Sequence, residues 1–232
     1  MVTQQAILQR KRVFSRILKF VTAAVALGGI FMSFFETELD GFNHWSARLL
    51  YFTAQSNIWI GTVLLVIALF PNMRKDWKGK LYFLKYIFTV SITVTGVIFC
   101  GLLGPYSDSS FRSWGLSSLL SHVFSPVLAI LDFFTDDYKI VLTKKHAWLS
   151  TLPFFLYGVV TFILEAFNVD YGRGDPYPYF FMYYRSPVGL FGFSNQYPFY
   201  AGSFYWIALF SLLVVGIGFL YLRLYRKGIN RT

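Results

Sequence analysis

The chain has 232 residues, of which 56% are hydrophobic, 21% aromatic and only 14% charged. With a mean hydropathy of +0.52 it lies far from the composition of a soluble domain, and the expectation is an integral membrane protein. The formal charge of +10 does not point to nucleic acid, which would require a basic face with base-stacking aromatics in water.

A membrane span needs about 20 mostly apolar residues at ~1.5 Å rise each. In chain order, such runs fall at Ile17–Phe35, Leu49–Phe70, Leu81–Leu103, Leu116–Phe134, Trp148–Phe167 and Phe204–Tyr221. The expected architecture is therefore all-α, a single six-span helical bundle. The first run follows Arg10, Lys11 and Arg12, as a signal peptide would. Its apolar core continues to Phe35 without a small-x-small cleavage site, so a retained span is expected. The fourth run is dotted with Ser117, Ser118, Ser121, His122 and Ser125, a pattern that fits a helix buried between neighbours.

Charge sets the orientation. Of the 21 Lys and Arg residues, 17 fall at the N-terminus and start of the first run, between the second and third, between the fourth and fifth, and at the C-terminus. Only Arg48, Arg112, Arg173 and Arg185 lie on the other side. The positive-inside rule then predicts cytoplasmic termini, in a multi-pass protein of the cell membrane surrounded by anionic lipid headgroups. The outer segment from Asn168 to Ser203 mixes Gly and Pro with many Tyr and Phe. It reads either as an interfacial aromatic belt or as the mouth of an apolar cavity.

Intramembrane polar residues carry a cost unless they are paired, so they mark the chemistry. Thr53, Ser56 and Asn57 share one face at the start of the second span, by their i, i+3, i+4 spacing. His122 is the histidine within a span, with Ser118, Ser125 and Pro126 on its face. Both the second and fourth spans enter from outside, placing Thr53 about 8 Å and His122 about 9 Å below the outer boundary. A hydroxyl and an imidazole at matching depth have the makings of a nucleophile–base pair, although these residues serve equally as interhelical hydrogen-bonding glue. Glu165 reaches the same depth at the end of the fifth span and on geometry alone could orient the histidine. Asp132 lies about 15 Å further in, near the cytoplasmic face. For either carboxylate the alternative is a charge at a helix end. One intramembrane histidine and the single Cys100 offer no metal-ligand cluster, and no cofactor is implied.

These residues resemble the androgen-induced gene 1 and FAR-17a-like family of multispan membrane proteins, including its bacterial Pr6Pr-type branch. Three elements carry the resemblance: Leu50-Tyr51-Phe52-Thr53 with Gln55-Ser56-Asn57, then His122 with Pro126 and Asp132, then Tyr177-Pro178-Tyr179-Phe180. The proline is displaced by about one position, the link between the second and third spans is shorter, and the serine-rich approach to His122 differs from animal members. What the resemblance implies is a hydrolase of fatty acid esters of hydroxy fatty acids, with Thr53 as nucleophile and His122 as base. The acidic residue of the motif around His122 is Asp132, so the orienting carboxylate stays open between Asp132 and Glu165. The ester would arrive from the bilayer, with Tyr177, Pro178, Tyr179 and Phe180 shaping its pocket. Ser56, Asn57 and Ser125 are the candidate oxyanion donors. A small-solute transporter or channel, and a non-enzymatic scaffold, are the competing readings. Oligomeric state is not legible.

Overall fold

A computed structural model describes residues 2–37, 39–105, 114–196 and 198–229. Arg112 and Arg231, counted in the charge partition, lie outside the described residues. The chain is 72% helical, and the described residues contain no strand beyond one isolated antiparallel bridge between Phe193 and Ala201. Six helical spans long and apolar enough to cross a membrane run over Gln4–Phe35, Phe52–Leu69, Lys75–Leu103, Leu116–Thr135, Lys144–Ala166 and Ser203–Gly228. This is a multi-pass membrane protein, as its hydropathy predicts.

The boundaries differ from hydropathy for local reasons. The first helix begins at Val2, because its basic first turns are good helix formers even where they are too polar for lipid. The second begins at Phe52 and not Leu49: Trp45–Leu50 forms a separate 3₁₀ turn, and Tyr51 is extended between the two. The fifth is interrupted after Leu149 and resumes at Leu152, where Pro153 in the first turn has no N–H to contribute.

Four spans interlock around small and branched side chains. Ala23 and Ala26 of the first, Ile60 and Leu64 of the second, Ile92 of the third and Ala129 of the fourth form one buried cluster. A second cluster joins Tyr86, Val90 and Val94 to Phe133 and to Val214 and Tyr221 of the sixth span. Gly96 sets how closely the third and fourth spans approach at the level of His122. A Cβ there would meet the Pro126 ring at 3.0 Å and the His122 carbonyl at 3.1 Å. Small residues at such crossings let helix backbones meet. On the outer faces Leu212, Val159 and Phe162 are exposed, as lipid-facing positions must be.

The two ends of the bundle are chemically distinct. At the lysine- and arginine-rich end, Lys19, Lys85, Asp132 and Asp136 form a buried quartet. Lys19 Nζ lies 3.2 Å from Asp132 and 2.8 Å from Asp136. Lys85 Nζ lies 2.5 Å from Asp132 and also pairs with Asp136. Ser15 and Tyr82 donate their hydroxyls to Asp136. Two cations against two anions leave the quartet neutral, and it ties the first, third and fourth spans together. Burial alone would raise the Asp136 carboxyl, but the ammoniums of Lys85 and Lys19 hold it well below the usual carboxylate range.

The opposite end carries the aromatic segment. Phe52, Tyr157, Phe181, Met182 and Phe210 form a buried cluster beneath it, so the segment is anchored into the bundle. Asp170 Oδ1 accepts the backbone N–H groups of Gly172, Arg173 and Gly174 at 2.7, 3.1 and 2.9 Å. The turn needs Gly172 at φ +94, where a Cβ would also strike Ala47 at 2.5 Å. It delivers the Arg173 guanidinium over the Phe42 ring.

Candidate functional site

His122 sits in a π-helical turn, Leu120–Phe124, inside the fourth span. Pro126 explains the widening. It has no N–H for the His122 carbonyl, and its ring would crowd that oxygen in a regular α-helix. A π turn relieves the clash by shifting the bonding register, and such turns are frequent at functional sites. The Ser125 N–H accordingly bonds Leu120.

The imidazole is held on both sides. Its ring stacks on Phe99 with centroids 3.9 Å apart and planes 19° from parallel. Nδ1 lies 2.9 Å from the Ser118 carbonyl and 3.1 Å from the Ser118 hydroxyl. A carbonyl only accepts, so Nδ1 carries the proton and Nε2 is left with its lone pair. Nε2 lies 3.2 Å from Thr53 Oγ1. The hydroxyl therefore donates to the imidazole, the hydrogen-bonding sense of a nucleophile and its base. The depth match read from the sequence corresponds to direct contact between residues on different spans.

Tyr179 completes the group. Its hydroxyl lies 3.4 Å from Thr53 Oγ1 and 3.5 Å from the Thr53 backbone nitrogen. Its ring stacks on Phe181 and meets Tyr51 edge-on. Burial pushes the Tyr179 phenol up, pushes Tyr51 up, and takes Tyr177 to about 12 with help from Asp175. These phenols stay protonated at neutral pH.

All of this opens on a cavity of about 430 Å³. Thr53, His122, Phe99 and Ser118 line it, as do the four residues of the Tyr177-Pro178-Tyr179-Phe180 element. The volume falls within the range of small-molecule sites. Two arginines not singled out in the sequence also line it. Arg48 is buried, paired to Asp40 at 2.6 Å and set over Phe42; Arg173 reaches it from the Asp170 turn. The signal was available, since Arg48 and Arg173 are among the four cations outside the basic end.

Other expectations need correction. Ser56, Asn57 and Ser125 do not line the cavity. Ser56 Oγ bonds the Thr53 carbonyl and Thr95. The Asn57 amide donates to the Thr53 carbonyl at 2.9 Å and to the Ser121 carbonyl at 3.0 Å. Both sit one turn below Thr53 and tie the second span to its neighbours, which is the glue role and not an oxyanion role. Ser125 is fully buried. Glu165 does not orient His122, because its carboxylate accepts the Tyr184 and Arg185 backbone N–H groups at 3.1 and 2.9 Å. It fastens the aromatic segment instead. Asp132 is neither an orienting group nor an interfacial charge; it belongs to the buried quartet. The orienting partner of His122 is the Ser118 carbonyl.

No family model, curated protein or solved structure matches the chain.

Proposed function

We propose that this protein is an intramembrane lipid hydrolase that cleaves carboxylic esters, with Thr53 as nucleophile and His122 as general base. The observation that carries the reading is the 3.2 Å contact between Thr53 Oγ1 and His122 Nε2, with Nδ1 of the same ring facing the Ser118 carbonyl, at the wall of an aromatic-lined cavity. A threonine hydroxyl attacks an ester only when a base takes its proton as the new bond forms. In the first step Oγ1 adds to the carbonyl carbon, the π pair moves to the carbonyl oxygen, and the proton passes to Nε2. Collapse expels the alcohol, which takes that proton from Nε2. Water, deprotonated by the same nitrogen, then hydrolyses the acyl-threonine and regenerates the hydroxyl.

The resemblance to the androgen-induced gene 1 and FAR-17a-like proteins narrows the substrate to fatty acid esters of hydroxy fatty acids or similar lipid esters. A bilayer-embedded cavity suits a molecule that arrives laterally from lipid. The distribution of Lys and Arg supports cytoplasmic termini and a site near the outer surface. A transporter reading has less support: the apolar cluster of Ala26, Ile60, Leu64 and Ile92 and the paired quartet occupy the bundle below the cavity.

The test is hydrolysis of such a lipid ester in detergent by wild type, Thr53→Ala and His122→Ala, together with mass spectrometry after treatment with a hydrolase-directed phosphonate. Each substitution should abolish turnover in folded protein, and the adduct should map to Thr53. Full activity in folded Thr53→Ala would end the nucleophile assignment.

A further inference from the structure

The hydrogen-bond directions around Thr53 have one outcome. Thr53 Oγ1 gives its hydrogen to Nε2, so at 3.4 Å from Tyr179 it accepts. The Thr53 backbone N–H donates to the phenolic oxygen at 3.5 Å, and so the Tyr179 hydrogen points at the nucleophile. Both contacts lie at the long end of hydrogen bonding, a geometry that tightens as a reaction proceeds.

We propose, resting on the hydrolase reading, that Tyr179 is the third catalytic residue and supplies the oxyanion donor for the ester carbonyl. When Oγ1 adds to the carbonyl carbon, one lone pair becomes the new C–O bond, and the O–H pair is left behind as the proton moves to Nε2. Oγ1 is then an alkoxy oxygen, a much weaker acceptor for the Tyr179 O–H than the forming oxyanion. The carbonyl oxygen gains negative charge two bonds away and takes that hydrogen bond; the phenol keeps its proton throughout. Ser56 and Asn57 bond across the bundle and, like Ser125, do not line the cavity, whereas Tyr179 does. Its ring is fixed by the Phe181 stack, with planes 4° from parallel, and by the Tyr51 edge. Such a donor is positioned before the charge forms, which is where its effect is largest. Burial favours the protonated phenol, the form that donates.

The groups facing the phenol are His122, Tyr51, Tyr157 and Tyr171, with Arg48, Asp40, Arg173 and Asp175 around the same cavity. The experiment compares wild type, Tyr179→Phe and a protein carrying 3,5-difluorotyrosine at position 179, using a hydroxy-fatty-acid ester. Tyr179→Phe keeps the ring stack and should lower kcat about 10²- to 10³-fold with little change in KM and with Thr53 still labelled by the phosphonate. The fluorinated phenol ionises at lower pH, so its kcat should fall on the alkaline side where wild type stays level. All the facing groups are common to both proteins, which assigns that limb to residue 179. Wild-type kcat in Tyr179→Phe overturns the assignment alone, leaving the dyad. An unchanged pH profile in the fluorinated protein overturns it as well, and decides the matter if Tyr179→Phe does not fold. No hydrolysis by wild type overturns the hydrolase reading and this assignment together.

Discussion

Replacing Lys85 by methionine removes one of two cations from the buried quartet while keeping most of the side-chain volume. The ammonium is 1% exposed, contacts Asp132 at 2.5 Å and also pairs with Asp136, and donates to the Asp132 carbonyl at 3.3 Å. Its loss leaves Lys19 facing two carboxylates with no route to water. Breaking a buried pair by deleting one partner costs about 3–5 kcal/mol, because the remaining charge is uncompensated. That corresponds to about two to four powers of ten in the folded-to-unfolded ratio. Adding Asp136→Asn to Lys85→Met restores neutrality, with the Lys19–Asp132 pair at 3.2 Å intact. The double variant should therefore recover most of the loss, with coupling at the upper end of the usual ~0.5–3 kcal/mol between contacting residues. Thermal unfolding in detergent, read on both single variants and the double, gives the cycle. Asp132 follows His122 by about 15 Å along the helix, so hydrolysis per folded molecule should be unchanged. A Lys85→Met protein as stable as wild type, or a double variant less stable than either single, would refute the reasoning.

Two further outcomes are expected. With Cys100 replaced by alanine, a cysteine at Asn195 should react with an impermeant maleimide added outside intact cells and one at Lys75 only after permeabilisation; the reverse would invert the topology and the outward-facing site. Glu165→Gln should leave kcat near wild type, since the carboxylate does not touch His122, but raise KM by loosening the Tyr184–Arg185 anchor of the cavity wall. A selective collapse of kcat would show that Glu165 acts on the dyad after all.

The comparison of sequence with structure separates two kinds of information. Hydropathy counts residues along an axis, so it located all six spans and the matching depths of Thr53 and His122. Depth does not fix rotation about the axis. Glu165 and Thr53 read as neighbours by depth, yet the fifth helix turns Glu165 toward its own following segment. Ser56 and Asn57 share the Thr53 face, as their spacing requires, but lie one turn deeper and bond backward to the Thr53 carbonyl. Asp132 read as an end-of-helix charge because nothing local announces that Lys19 and Lys85, distant in sequence, converge on it. The segment from Asn168 to Ser203 stands out because its Gly, Pro and aromatic residues have no place in a regular span; within it, the Tyr177–Phe180 element is marked by the family resemblance alone.

The π turn at Leu120–Phe124 gives the fourth helix two independent rotational settings. A π turn is equivalent to an α-helix carrying one extra residue, so what precedes it is rotated by about 100° relative to an uninterrupted helix. Below it, the helix is phased to send Asp132 to the lysines; above it, to send Ser118 beneath the imidazole. Neither setting constrains the other. Deleting a single residue within the turn would leave the lower anchor engaged, yet swing the upper segment off the site and set the Pro126 ring against the carbonyl four positions before it, the clash that the π turn relieves.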